Sequence, residues 1–509
     1  MNLRQFAPAL VLCLLLPAGL AGCAKETPAE HAANVYAQQE LDSAPPHSNL
    51  PDYSLSPADL AKAQHLSTIH STLHFVDEIW GIVSLLLLLG FGGIAWMRDR
   101  AVKTGTRTYL QAIMFPISFV ELTILLFALP ALLVFFYFPF SIKIVSEIVL
   151  FLISGLLVWL FRKPLRASAY WWVEGHAFLL LYLIAGYLLE LPIDLYSQHL
   201  ELTYGLSVQS WGSYFGDEAK LFALEWVIGG LLVMLLFWVI RKLPRRWWLL
   251  FWCFSIPIVL FGIFVSPYIE PIFNKYEPLE KTNPALVAQL EQVVAKGHMD
   301  IPPERMFLMK ASEKVTTLNA DVEGFGHSKR VVVWDNTIAK ATPDEILLVF
   351  GHESGHYVLG HIVRGVSFSL FLILISLYLG YVFVQWAIAK FGMRWGVPAQ
   401  TDWAALAVLL LATSIFGLVT EPLNSAFTRQ QEHAADVYGQ EAIHGIVADP
   451  QASAKGAFDV LGATSFADPN PNQLYEFWSF SHPAIGRRAA FARAYDPWAP
   501  GMAPKYFRR

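Results

Sequence analysis

From position 79 onward the chain repeats one pattern, stretches of about 20 apolar residues separated by short polar turns, a length that suits a helix crossing a bilayer. Six such stretches, 79–96, 113–138, 144–161, 171–191, 221–240 and 247–265, come before a mixed interval. Two more, 366–389 and 403–420, follow it. Ser146 and Glu147 weaken the third, and Glu121, Glu174 and Glu225 fall within or at the ends of others. Such carboxylates usually face a protein interior or a wet cavity. The intervals 266–361 and 421–509 alternate short strand-like runs with amphipathic helical ones. The expected fold class is therefore mainly α: a polytopic membrane bundle of about eight spans carrying a small α+β domain.

Composition agrees. The chain has 509 residues, 55% hydrophobic and 15% charged, too apolar for a soluble multidomain protein. A net charge of −5 gives no footprint for nucleic acid. Three cysteines, Cys13, Cys23 and Cys253, cannot build a disulfide framework. Arg4, the apolar run from Ala9 to Leu16 and Leu20-Ala21-Gly22-Cys23 read as a signal peptide with a lipobox, which makes Cys23 a lipidation site. The alternative is an uncleaved signal anchor. Residues 24–70 are polar and Ala/Pro/Ser-rich, and read as a flexible linker. The expected division is signal 1–23, linker 24–70, membrane domain 71–265, and a catalytic domain 266–509 that includes two further spans.

Loop charges set the orientation. Arg98, Arg100, Lys103 and Arg107 follow the first stretch, Arg162, Lys163 and Arg166 the third, and Arg241, Lys242, Arg245 and Arg246 the fifth. Lys390 and Arg394 lie between the last two. The alternate loops are poor in Lys and Arg. With an external N-terminus all basic loops are cytoplasmic, and 266–361 and the region after 421 face the periplasm. A bacterial inner-membrane protein is the expectation.

The candidate chemistry sits in the mixed interval. His352-Glu353-Ser354-Gly355-His356 follows the apolar run Ile346-Leu347-Leu348-Val349-Phe350, so it reads as helical. Histidines four apart on a helix share a face and can hold one zinc ion, with Glu353 able to reach a water on it. Two structural histidines are the bland alternative. A catalytic zinc needs a third protein ligand and one open position. His361, nine residues after His352, would lie half a turn round a continuing helix and face away, which makes it structural or supporting rather than a ligand. No carboxylate occurs between His361 and Asp402. Beyond the last span, Glu432 and Asp436 lie four apart on a helix-compatible stretch. Glu432 can bind zinc while Asp436 takes the second N–H of a ligand histidine; an ordinary solvated helix is the alternative, and His433 is turned away. The segment Asn319-Ala320-Asp321 and the strand Arg330 to Trp334 form a hairpin whose edge could hold an extended peptide. His482, in Ser481-His482-Pro483, could donate to an oxyanion, or be a surface histidine.

His-Glu-Ser-Gly-His-x-x-x-Gly-His, Arg-x-x-Glu-x-x-Ala-Asp and His-Pro-x-x-x-x-Arg occur in this order, and the chain so resembles the integral-membrane zinc metallopeptidases typified by the CAAX prenyl protease type I. The resemblance covers roughly residues 170 to 490. Tyr204-Gly205 to Asp217 and Lys220, and Tyr268-Ile269-Glu270-Pro271, are similar to that family's pre-catalytic segments. It implies one zinc per chain held by His352, His356 and Glu432, Glu353 as base, and a membrane chamber enclosed by the helices. It also implies substrate held at Asn319, Ala320 and Asp321, and support of the transition state by His482 and Arg488. The implied substrate is a membrane-associated or lipidated protein or peptide, in contact with the bilayer. Two departures stand out: Tyr204-Gly205-Leu206-Ser207 replaces the family's His-Gly-Phe-Asn, and one extra span precedes the catalytic region. The rivals are an HtpX-like quality-control protease and a non-catalytic membrane protein with a structural zinc site. Substrate sequence and oligomeric state are not readable from the chain.

Overall fold

Long helices dominate the computed structural model, which describes residues 26–137, 140–324 and 329–508. The expected signal and lipobox at 1–23 lie outside the described residues. Helix α1 (Pro28–Ser43) is followed by α2 (Pro57–Gly90), α3 (Gly93–Gly105), α4 (Thr108–Tyr137), α5 (Phe140–Leu160), α6 (Ala169–Thr203), α7 (Trp211–Lys242) and α8 (Trp247–Ile269). The rest of the chain adds α9 (Pro284–Lys296), α10 (Pro343–Val358), α11 (His361–Trp395), α12 (Ala405–Ile443), α13 (Pro450–Thr464) and α14 (Ile485–Ala494). Four short strands, β1 (Tyr276–Pro278), β2 (Met306–Met309), β3 (Ala320–Glu323) and β4 (Arg330–Trp334), form one sheet in the order β1-β2-β4-β3. β3 pairs antiparallel with β4, Asp321 opposite Val332, and stands at the sheet edge.

Among the described residues seven helices are long and apolar enough to cross a membrane: α2, α6, α7, α11, α12 and the described parts of α4 and α8. The third expected span falls in α5, whose apolar stretch Ile148–Leu160 is shorter than the rest. The first expected span, 79–96, is corrected. Helix α2 ends at Gly90, Gly92 turns left-handed (φ 74°), and Trp96 belongs to α3. That helix carries Arg98, which donates to Asp402 (3.0 Å) and to the Gly396 carbonyl (3.1 Å). Arg241 reaches the Thr401 carbonyl (3.3 Å) and Trp247 reaches Gln400 (3.2 Å), so the basic loops gather at one end of the bundle. An apolar core containing Trp172, Phe237, Trp247, Trp403 and Val408 closes that end.

The linker reading of 24–70 is also corrected. Pro28 and Pro57 occupy first-turn positions, where proline starts a helix instead of breaking one. Ala29, Ala33, Ala37 and Leu41 form a stripe at spacing four, too small in side-chain size to register as an amphipathic pattern. Those alanines pack on Val437 of α12 and on Ala490 and Phe491 of α14. Buried Glu30 pairs with Lys505 (2.6 Å) and buried Asp52 with Arg493 (2.7 Å). The segment before α2 thus packs on the C-terminal helices α12 and α14.

Candidate metal centre and its relatives

Helix α10 opens on a capping box: the Thr342 hydroxyl accepts from the Glu345 N–H, and Glu345 accepts from the Thr342 N–H. Its buried face, Ile346, Leu347 and Phe350, seats it in an apolar core with Val331 and Val333 of β4. The motif occupies its last two turns. Helix α12 crosses it at two glycines. A Cβ on Gly351 would lie 3.0 Å from the Gly439 carbonyl, and one on Gly439 only 2.7 Å from the His352 nitrogen. Backbone meets backbone there, which lets Asp436 and Glu432, one and two turns before Gly439, reach the histidines.

The reach is short. His352 Nε2 lies 3.1 Å from His356 Nε2 and 3.2 Å from Glu432 Oε2, and His356 Nε2 lies 3.4 Å from Glu432 Oε1. A tetrahedral zinc with bonds of about 2.0–2.2 Å holds its ligand atoms about 3.3 Å apart. His352, His356 and Glu432 are the one such His/Cys/Asp/Glu group among the described residues. Two imidazole nitrogens and a buried carboxylate converging on one point suit a cation.

Around them, His352 Nδ1 donates to Asp436 Oδ1 (2.8 Å), which fixes the tautomer that leaves Nε2 free. Burial alone would lower the His352 pKa. The bonds to Asp436 and Glu432 outweigh it and hold the group above the ordinary imidazole value. Arg488 donates to both oxygens of Asp436, from Nε (2.9 Å) and from Nη2 (2.7 Å). These bonds hold it against Asp436, and it also lines the cavity beside the centre. His482 Nε2 stands 3.0 Å from Glu432 Oε2.

The predicted geometry of His361 fails, because α10 does not continue. Gly360 turns left-handed (φ 70°), and α11 starts with His361 folded back beside its neighbour, Nδ1 3.1 Å from His356 Nδ1. It thus stands beside His356 as Asp436 stands beside His352: the expected supporting place, but on the facing side and not the opposite one. His433 faces Phe491 at 4.7 Å between ring centres, away from the centre.

A cavity of about 280 Å³ opens beside the centre, lined by Asn319, His352, Glu353, His482 and Arg488 on one side and by Leu348, Phe458 and Leu461 on another. Asn319 donates from its amide to Asp321 (3.0 Å). Burial, and then the charge of nearby Glu353, push Asp321 up to about 7. Ala320 is buried against the core. Asp217, from the pre-catalytic stretch, binds Lys220 (2.9 Å) and Lys314, while Glu270 binds Arg330 (2.8 Å) and Tyr276 (2.9 Å). These pairs fasten the ends of the membrane helices to the sheet.

Residues 280–496 match the model of peptidase family M48, and residues 117–275 match that of the CAAX prenyl protease N-terminal region, described by its five membrane helices. A Bacillus subtilis protein described as the uncharacterized metalloprotease YhfN is 31% identical over 306 residues, 60% of this chain and 70% of its own length. The chain is a CAAX prenyl protease-like membrane metalloprotease of family M48. CAAX prenyl protease 1 of Saccharomyces cerevisiae is 27% identical to this metalloprotease over 324 residues, 59% of this chain and 68% of that one. The crystal structure of S. mikatae Ste24p shares the fold, with a TM-score of 0.66 at 17% identity, over 95% of this chain and 98% of that chain. The match to the N-terminal model runs from within α4 to α8, so α1 and α2 lie outside both matched regions.

Proposed function

We propose that this metalloprotease is a zinc endopeptidase with a glutamate third ligand. His352, His356 and Glu432 hold one ion, and the protein cleaves membrane-associated or lipidated substrates. The observation that carries the reading is the convergence of two Nε2 atoms and one carboxylate within 3.1–3.4 Å at the edge of a cavity lined by Glu353. A zinc ion bound there supplies Lewis acidity that polarises the scissile carbonyl and acidifies a water. Glu353 takes the proton from the attacking water and returns it to the departing amine nitrogen. Asp436, held by Arg488, keeps His352 in the tautomer that ligates. His482 donates to the developing oxyanion. Asn319 and the edge strand at Ala320 and Asp321 hold the extended substrate by main-chain hydrogen bonds.

The site is assigned to the periplasmic face of a bacterial inner membrane. With α5 counted as a crossing beside the five longer apolar helices that precede the sheet, the even total puts α1 and the sheet on one side, which is supported by the packing of α1 on the catalytic lobe. The basic loops gather at the opposite end of the bundle, the cytoplasmic one by their charge. Lipidation of Cys23 would agree with this placement. The test is metal analysis of purified protein alongside cleavage of casein and membrane peptides. One zinc per chain is expected, with cleavage lost on chelation and lost in Glu353→Gln with zinc retained. Full activity of zinc-loaded Glu353→Gln would refute the assignment. Alkaline phosphatase fused after residue 300 should be active; a well-expressed, inactive fusion would reverse the orientation.

A further inference from the structure

One wall of the cavity is a strained turn. Gly462, Ser465 and Ala467 line it, and between the last two Phe466 adopts φ 48°, a left-handed conformation unfavourable for a bulky side chain. The turn is the left-handed cap that ends α13, with the Ala467 N–H on the Gly462 carbonyl (2.9 Å) and the Phe466 ring packed on Leu66 and Tyr204; the segment before α2 then holds its far side. The Tyr53 hydroxyl donates to the Ala467 carbonyl (3.0 Å) and the His47 N–H to the Asn470 carbonyl (2.8 Å). The Asn470 amide donates back to the carbonyls of Ala44 and Pro45 (3.2 Å each), and the His47 ring pairs with buried Asp468. Tyr53 also presses on the wall: a Cβ on Gly462 would lie 2.5 Å from its hydroxyl.

We propose that residues 44–53 are a built-in clamp on the substrate cavity, with Tyr53 as a positioning residue that fixes the wall formed by Gly462 to Ala467. The clamp lies outside both regions matched to the family models. This rests on the reading that the cavity receives substrate, and two independent readouts separate the claims. In the full-length protein in detergent micelles, Tyr53→Ala should speed amide hydrogen exchange across residues 463–470 by about tenfold or more, whether or not the protein cleaves anything. For peptide cleavage it should raise KM about tenfold and leave kcat within about twofold, the sign of lost binding and not of lost chemistry. Tyr53→Phe, which keeps the ring and drops one hydrogen bond, should fall between. Gly462→Ala should impair binding in the wild-type background and much less beside Tyr53→Ala. Unchanged exchange at 463–470, strictly additive effects of the two substitutions, or a fall in kcat and zinc content together would overturn the clamp. Absence of chelator-sensitive cleavage by the wild type would instead overturn the proposed activity, leaving the exchange result to decide the clamp.

Discussion

Gly439→Ala is the sharpest test of how the centre is assembled. The added methyl would sit 2.7 Å from the His352 nitrogen and 3.0 Å from its Cα. Ordinary contact begins near ~3.5 Å, so α10 and α12 must part by roughly 0.8 Å. No flexible side chain can yield, because the obstructing atoms are backbone. The separation falls on the crossing that sets His352 against Asp436 at 2.8 Å and Glu432 at 3.2 Å. Overpacking of this kind costs about 1–3 kcal/mol, and a displacement near 1 Å can cost on the order of 100-fold in rate. We expect kcat/KM for a peptide to fall about 30- to 100-fold, with weaker zinc retention in a chelator competition. Gly417→Ala on the same helix is the control: nothing lies within 4 Å of its Cβ position, and it should leave both values alone. Wild-type zinc affinity and kcat/KM in Gly439→Ala would show that the close crossing does not set the geometry.

Other outcomes follow from the groups around the centre. Asp436→Asn gives the His352 N–H and the Arg488 fork one oxygen where they now share two, so zinc affinity measured by chelator competition should drop about 10- to 100-fold. Unchanged affinity would remove Asp436 from the design. Zinc binds unprotonated imidazoles, and the carboxylates of Asp436 and Glu432 beside His352 favour its protonated form, so protons compete with the metal there. Apparent zinc affinity should therefore rise with pH from about 6 to 8, by up to about tenfold per unit for one released proton; a flat profile would contradict the protonated state. Glu441, fully buried, accepts from the Tyr495 hydroxyl (2.6 Å) and from the N–H groups of Lys505 (2.6 Å), Tyr506 (2.8 Å) and Phe507 (3.1 Å). Glu441→Gln turns an amide NH2 toward these donors and should cost about 2–4 kcal/mol, read as a lower Tm and faster proteolysis of the C-terminal tail.

The membrane helices and the metal triad were readable because each rests on a local rule: apolar length for one, four-residue spacing plus a distal acid for the other. Glu432 and Asp436 could be picked out across two spans because chemistry demanded a carboxylate that the nearer sequence lacks. What failed depended on tertiary context. His361 was misplaced by assuming a continuous helix, when Gly360 was the visible signal for a break. The bonds of Arg488 to both oxygens of Asp436 join residues 52 apart in sequence, and no local pattern shows them. Residues 24–70 looked unstructured since alanine stripes and paired buried charges such as Glu30 with Lys505 resemble a solvated segment until the partner is known. The close approach of Gly351 and Gly439 has no sequence signature beyond the glycines themselves.

Helix α12 is unbroken over 39 residues, about 58 Å at 1.5 Å per residue. Its first half is apolar enough to stand in the bilayer and its second carries Glu432, the proposed third ligand. Bilayers of unmatched thickness tilt their helices, and a tilt of 5° about the membrane end at Ala405 swings a point about 40 Å along the rod by roughly 3.5 Å. Glu432 is such a point, and Pro422, which removes one helical hydrogen bond between the halves, is the place where such motion can be taken up. Lipid thickness is thereby written into the coordination geometry, so turnover in short-chain and long-chain vesicles becomes a property of the solvent as much as of the enzyme.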